Sequence, residues 1–217
     1  NDNGNIVAIG AVGEDGCGSD CGEVRVFENI SGTWTQIGAD LNGQQQSDYF
    51  GTSVDLNSSG NILSVGSDGS DLNGYQSGNV SVYENISGTW TQIGNNISGE
   101  NSGDRSGNAI SIDNTGTKIA IGAKRNPGNG GSYIGGQIRY YENISNTWTQ
   151  IGTDIDGYST NYNSWGLGHS VALSGDGQMI ASGSYTNTIS PNGSVGVYHY
   201  SLVNKTYVPD DVFEAYL

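Results

Sequence analysis

Short runs in which apolar and polar residues alternate recur along the chain, each bounded by clusters of Gly, Asn, Ser and Asp. Val80 and Val82 alternate with Ser81 and Tyr83 in NVSVY, and comparable runs read IVAIG from Ile6, ILSVG from Ile62, KIAIG from Lys118 and MIASG from Met179. A period of two residues, the shortness of the runs and their content of Val, Ile, Tyr, Trp and Thr predict β-strands. The fold class expected is all-β.

The runs are also copies of one another. FENISGTWTQIG from Phe27 returns as YENISGTWTQIG from Tyr83 and as YENISNTWTQIG from Tyr141, and a degraded version begins at Tyr198. Gly4, Gly60, Gly116 and Gly177 lie in Asn/Asp/Gly turns, Gly10, Gly66, Gly122 and Gly183 end the apolar runs, and Gly22, Gly78, Gly136 and Gly193 open the next ones, which fixes a unit of about 56 residues. In the second unit four strands are predicted near Thr52 to Leu56, Ile62 to Val65, Asn79 to Tyr83 and Thr89 to Ile93, with sequence neighbours pairing antiparallel across short turns. Asn29, Asn85 and Asn143 in the recurring turn read as turn formers.

Each predicted sheet carries apolar side chains on both faces and so needs a neighbour on each side. Radial packing of four-stranded antiparallel blades, a β-propeller, meets that requirement, with a flat solenoid as the structural alternative. Trp34, Trp90 and Trp148 occupy one register of the three complete copies and are read as packing residues between blades. About four blades are expected, as part of a larger propeller. The blades extend over residues 1–207, the first lacking its first strand, and self-association through open blade edges is the alternative to a longer chain. In residues 208–217, Pro209, Asp210 and Asp211 ahead of Val212 and Phe213 predict a helix start that opens a following segment.

Composition narrows the function. Seven Lys and Arg against 22 Asp and Glu give a net charge of −15, which opposes nucleic acid and anionic lipid as partners. No window approaches the roughly 20 apolar residues of a membrane span. Cys17 and Cys21 lie four apart in one loop, without the partner ligands a zinc site needs. A local disulfide, and with it an oxidising compartment, is the expected reading, two reduced thiols being the alternative.

The second unit, FGTSVDLNSSGNILSVGSDGSDLNGYQSGNVSVYEN from Phe50, resembles the FG-GAP repeat of integrin-type propellers, and more closely the propeller repeats of secreted proteins from marine Bacteroidetes. Phe50 and Gly51 match the name-giving pair, and Gly10-Ala11 and Gly122-Ala123 match the second half of the motif better than Gly66-Ser67 does. The resemblance implies a propeller of usually seven blades at an extracellular or cell-surface location. The terminal VPDDVFE is similar to the segment that precedes leucine-rich repeats in such proteins. Calcium-binding members carry an acidic loop between the first two strands. Here Asn57 to Gly60 and Asp113 to Gly116 are too short and too poor in carboxylates for the six or so oxygens calcium takes.

Candidate chemistry falls in the loops that differ between units. These hold Glu14, Asp15 and Asp20 in the first unit; Asp68, Asp71, Asn73 and Tyr75 in the second; Lys124, Arg125 and Tyr133 in the third; and Tyr185 in the fourth. Asp68, Asp71 and Asn73 could gather a weakly held calcium ion, solvated acidic loops being the alternative. Neither His169 nor His199 has a nucleophile motif beside it, and no G-x-S-x-G elbow is present. Asp48 and Asp104 recur before the first strand of successive units and read as turn or capping residues. The function expected is therefore a non-enzymatic adhesion module presenting these loops to an extracellular protein or glycan. The alternatives are a carbohydrate-active enzyme with its site in the propeller channel, and a structural stalk or filament.

Overall fold

The computed structural model describes residues 1–127, 135–157, 166–184, 194–201 and 206–214, with side-chain surroundings as far as residue 199. It is all-β, with four antiparallel sheets and no helix among the described residues. Blade 1 holds β1 (Ile6–Ala11), β2 (Glu23–Ile30), β3 (Thr33–Gln36) and β4 (Leu41–Asn42). Blade 2 holds β5 (Phe50–Leu56), β6 (Ile62–Ser67), β7 (Asn79–Ile86), β8 (Thr89–Gln92) and β9 (Ile97–Ser98). Blade 3 repeats it as β10 (Ser106–Ile112), β11 (Lys118–Ala123), β12 (Gln137–Ile144), β13 (Thr147–Gln150) and β14 (Ile155–Asp156). Blade 4 holds β15 (Ser170–Leu173), β16 (Met179–Ser184), β17 (Ser194–Ser201) and β18 (Thr206–Glu214). Strands pair in chain order, as the propeller expectation requires, and the inner strands β5, β10 and β15 contact one another in succession.

The four strands expected in the second unit are present, with β5 reaching back to Phe50 and β7 forward to Ile86. The two-residue β9 and β14, which pair with β7 and β12 beyond the outer strand, were not foreseen because two residues carry no periodicity. A correction applies at the end of the chain. The helix start expected at Pro209 is the outer strand β18, which pairs with β17 and places Pro209 opposite Tyr198 beside a register shift. Proline fits an outer strand because its missing N–H faces away from the ladder.

Local chemistry closes each hairpin. Asn57 Oδ1 accepts the N–H groups of Gly60 and Ile62 at 3.0 Å each, and Asp113 Oδ1 accepts those of Thr117 and Lys118 at 2.8 and 2.9 Å. In the recurring outer turn, the central pairs Ser31-Gly32, Ser87-Gly88 and Ser145-Asn146 all have positive φ, the primed turn that matches strand twist. Asn29 and Asn85 brace it by accepting the Gly32 and Gly88 N–H at 2.7 and 2.8 Å.

Three contacts repeat between blades. At the inner end, backbone meets backbone: a Cβ placed on Gly10, Gly66 or Gly122 would stand 2.1 Å from the carbonyl oxygen of Gly51, Gly107 or Gly168 in the next blade. Along the inner strands, Asp55 Oδ2 accepts Ile112 N–H at 2.9 Å, and Ser111 Oγ, one blade on, accepts Leu173 N–H at 3.0 Å. At the outer rim, the Trp90 indole donates to Ile37 O at 3.0 Å and the Trp148 indole to Ile93 O at 3.1 Å. Between these contacts lie the apolar layers, such as Val24, Val26, Phe50, Leu63, Val65 and Trp90 between blades 1 and 2. Trp90 and Trp148 are buried at 8% and 4% exposure, whereas Trp34 is 48% exposed.

That asymmetry sets a test on the chain as described. Trp90→Phe keeps the ring and loses the indole bond, so urea denaturation should show a loss of about 1 kcal/mol. Trp90→Ala should lose about 3 to 5 kcal/mol. Trp34→Phe should leave the midpoint within experimental scatter; equal losses at both positions would contradict this account of the rim contact.

Candidate functional site

The loops after the second strand and the connections into the inner strand lie at the same end of every blade, because β6 ends where β5 begins: Ser67 pairs with Phe50. At this end the repeat stops being uniform. The residue two beyond Gly10, Gly66 and Gly122 is Val12, Asp68 or Lys124, and the residue after Gly51, Gly107 and Gly168 is Thr52, Asn108 or His169. In blades 2 and 3 the latter position follows a glycine of positive φ inside a register shift between the two inner strands. Such bulges turn a side chain out of the ladder and recur beside functional sites.

Asp68, at the end of β6, is 5% exposed and receives two cations. Arg105 Nη1 stands 3.4 Å and Lys124 Nζ 3.3 Å from Asp68 Oδ2, and Thr52 Oγ1 lies 3.2 Å from Asp68 Oδ1. Arg105 immediately precedes β10, has φ 54°, and donates through Nη2 to Gln76 Oε1 at 2.9 Å; its buried Nε has no hydrogen-bond partner among the described residues. Asn108 ties the neighbouring backbones together. Its Oδ1 accepts Lys124 N–H at 2.9 Å, and its Nδ2 donates to Gly168 O at 3.0 Å and His169 O at 3.1 Å. The imidazole of His169 is held below its usual pKa, first by partial burial and then by the Lys124 ammonium. The result is two cations around one carboxylate beside an imidazole that is neutral at pH 7, a positive spot on a protein of net charge −15. Guanidinium and ammonium donors so placed can take an anionic oxygen, and a neutral imidazole can accept a proton from water.

The other loop residues have different roles. Asp15 Oδ1 accepts Asp20 N–H at 2.9 Å, and its counterpart Asp71 Oδ1 accepts Gln76 N–H at 2.7 Å, so both carboxylates close their own loops. Asn73 donates to Gly99 O and Glu100 O at 2.8 and 3.2 Å. Of the three residues expected to hold a weak calcium ion, Asp68 thus faces two cations, Asp71 Oδ1 closes its own loop and Asn73 Nδ2 bonds neighbouring backbone. No group of three or more His, Cys, Asp or Glu suited to a metal occurs among the described residues. Cys17 and Cys21 form a disulfide with Cα atoms 5.7 Å apart, around which Glu14 and Asp15 are exposed. Tyr75 is exposed and Arg125 is a surface residue whose N–H donates to Asp104 O. Tyr133 and Tyr185 lie outside the described residues. Asp48 and Asp104 accept N–H groups of their own turns, from Gln44, Gln45 and Asn101.

Of the residues singled out in the sequence, the structure brings Asp68 and Lys124 together. Arg105, Asn108 and Gln76 were missed. The signal was available in part: Tyr49, Arg105 and Gly166 share a register but differ in chemistry, as do Thr52, Asn108 and His169.

No protein-family model matches the chain, and no curated protein matches it in sequence. Solved structures do resemble it. A Bacteroides fragilis protein provisionally named a 6-phosphogluconolactonase aligns with a TM-score of 0.61 and 9% identity over 98% of this chain and 52% of that one. A Bacteroides uniformis protein of the same provisional name gives 0.59 and 11% over 89% and 49%. A hypothetical selenium-binding protein from Sulfolobus tokodaii gives 0.56 and 10% over 86% and 46%. At these identities the likeness establishes the fold, and the chain spans about half the length of these structures.

Two expectations are corrected by these comparisons. Solved structures of like fold carry provisional lactonase names and no family model matches, so the FG-GAP resemblance does not hold. The non-enzymatic adhesion module falls with it, because the folds alike carry the name of an enzyme. Short glycine-bounded strands are what propeller packing demands of any such repeat, which accounts for the resemblance in pattern.

The electrostatics of the cluster can be checked directly. Proton NMR titration should place the His169 pKa below the ordinary 6.5, with His199→Gln assigning the signals. Lys124→Met should move it upward, since a neighbouring ammonium disfavours the imidazolium; an unmoved pKa would show that the two side chains do not interact.

Proposed function

We propose that the chain belongs to a propeller enzyme that hydrolyses a small, anionic, sugar-derived lactone or ester at the end of the inner strands. The observation that carries this reading is the convergence of Arg105 and Lys124 on the buried Asp68, with His169 on the adjoining strand entry. The provisional lactonase names of structures sharing the fold support the reaction class.

In this reading Arg105 and Lys124 bind the phosphate or carboxylate of the substrate, and Asp68 holds the two cations in place between turnovers. His169, neutral at pH 7, takes a proton from a water whose oxygen bonds to the lactone carbonyl carbon. The ring C–O bond then breaks, and the proton is returned to the departing alkoxide as the imidazole regains its neutral form. Because the described blades match about half of the related structures, residues from further blades are part of the proposed site.

Calorimetry with 6-phosphogluconate, and with gluconate as the unphosphorylated control, tests the binding half. The phosphorylated acid should bind at least tenfold more tightly, and Arg105→Gln or Lys124→Met should each remove about that factor, equivalent to ~1.4 kcal/mol. Hydrolysis of 6-phosphogluconolactone above the uncatalysed rate should be lost in His169→Gln while that binding persists. Equal affinity for the two acids together with no rate acceleration would overturn the proposal.

A further inference from the structure

Blades 2 and 3 differ beneath the connection that leads into each from the blade before. Asp48 and Asp104 hold the same place in these connections, are 6% and 1% exposed, and accept N–H groups of their own turns. Against Asp104, blade 3 sets long donors. The Asn126 side chain bonds the carboxylate, the Arg139 charge acts on it, and Arg139 Nη2 reaches Ser98 O at 2.8 Å and Ser106 Oγ at 3.1 Å. At the same registers blade 2 has shorter side chains: Ser70 for Asn126, Asn79 for Gln137 and Ser81 for Arg139, with Phe50 in the place of Ser106. A cavity of about 10 Å³ results, lined among others by Gln44, Asp48, Phe50, Ser70, Asn79 and Ser81. That is room for one occupant the size of a water molecule.

Asn79 turns an oxygen to this space. It is 4% exposed, its Nδ2 donates to Ser81 Oγ at 3.2 Å, and Ser81 Oγ donates to Asn96 Oδ1 at 3.0 Å. The direction of these bonds is set at Asn96, whose register carries a carboxylate in blades 1 and 3. Gln36 and Gln150 donate to Asp40 and Asp154 as Gln92 donates to Asn96, so an oxygen is what this register presents. Asn79 Oδ1 is left buried with no hydrogen-bond partner among the described residues. No lysine or arginine pairs with Asp48 among them either. A buried carboxylate and a buried amide oxygen both accept and neither donates, so one positive charge between them offsets the cost of burying both. A single charge suffices, because blade 3 answers the corresponding carboxylate with one guanidinium. One carboxylate among neutral oxygens also falls short of the ligands that calcium takes.

We propose that this cavity binds one small monovalent cation, of sodium or potassium size, through the Asp48 carboxylate and Asn79 Oδ1, in the role that the Arg139 guanidinium has in blade 3. The ion ties the connection out of blade 1 to β7 of blade 2, so its binding is linked to folding.

The test follows urea unfolding of the whole chain in sodium, potassium or choline chloride at one ionic strength, choline being too large for the cavity. The unfolding constant should fall severalfold, and saturably, as sodium or potassium replaces choline, and the more effective of the two names the occupant. Asp48→Asn, which keeps an oxygen for the turn, should abolish that dependence, whereas Asp104→Asn should leave it intact. Equal unfolding constants in the three salts would leave a single water as the occupant and overturn the proposal. A dependence that persists in Asp48→Asn belongs to the acidic surface and overturns it as well, as does stabilisation by calcium that neither alkali ion matches. Should Asp48→Asn fail to fold, the parent chain decides by magnetic resonance of sodium-23, and of thallium-205 with the thallous ion as the potassium probe. One of the two should show a bound component that excess sodium or potassium displaces; its absence from both refutes the site.

Discussion

The contact on which the architecture rests is the approach of bare backbone to bare backbone at the inner end of each blade. Gly10 meets Gly51, Gly66 meets Gly107 and Gly122 meets Gly168, at a separation that excludes any Cβ. With the inner ends this close and the outer rims held apart by a tryptophan, successive sheets must fan out around an axis. The hydrogen bonds from Ile112 to Asp55 and from Leu173 to Ser111 then fix how far one inner strand slides along the next. Gly183, the fourth member of the series, meets only the Ser170 hydroxyl and a distant backbone oxygen, as expected where no further blade lies against it.

The same geometry separates scaffold from chemistry. Residues that carry the blade contacts recur at one register because every interface makes the same demand. At the end of the inner strands, side chains emerge past the last shared glycine, beyond the contacts that repeat at every blade interface. There Val12, Asp68 and Lys124 replace one another, and a cationic cluster forms that spans the second and third blades and adjoins the entry to the fourth. Its positive character in an acidic protein marks it off from the loop carboxylates. Asp15 and Asp71 look functional in the sequence, but each is satisfied by an N–H of its own loop.

Charge also separates an open face from a covered one. The face of blade 1 is apolar with one arginine, whose side chain pairs with Glu23 and Asp40. Buried Arg139, at the same register of blade 3, donates instead to Ser98 O of blade 2 and to Ser106 Oγ. One residue type thus serves as a surface ion pair or an interblade tie according to whether a neighbour is present. An exposed pair of this kind contributes little to stability.

The sequence by itself determined the strands, their antiparallel order and the repeat, because alternation and turn residues are local and each strand reads out its own faces. It also pointed to the propeller, since sheets apolar on both faces must be stacked, while the choice over a flat solenoid rests on the glycine contacts between blades. It misassigned Pro209 to Asp211, where local helix-start chemistry was overruled by pairing with β17, and it was silent on β9 and β14, which exist only as partners of longer strands. What only the tertiary structure decided was which charges meet. Asp68, Arg105 and Lys124 are 37 and 56 residues apart along the chain yet share one carboxylate oxygen. That juxtaposition depends on the angle between blades, a property set by the glycine contacts and written in no single strand.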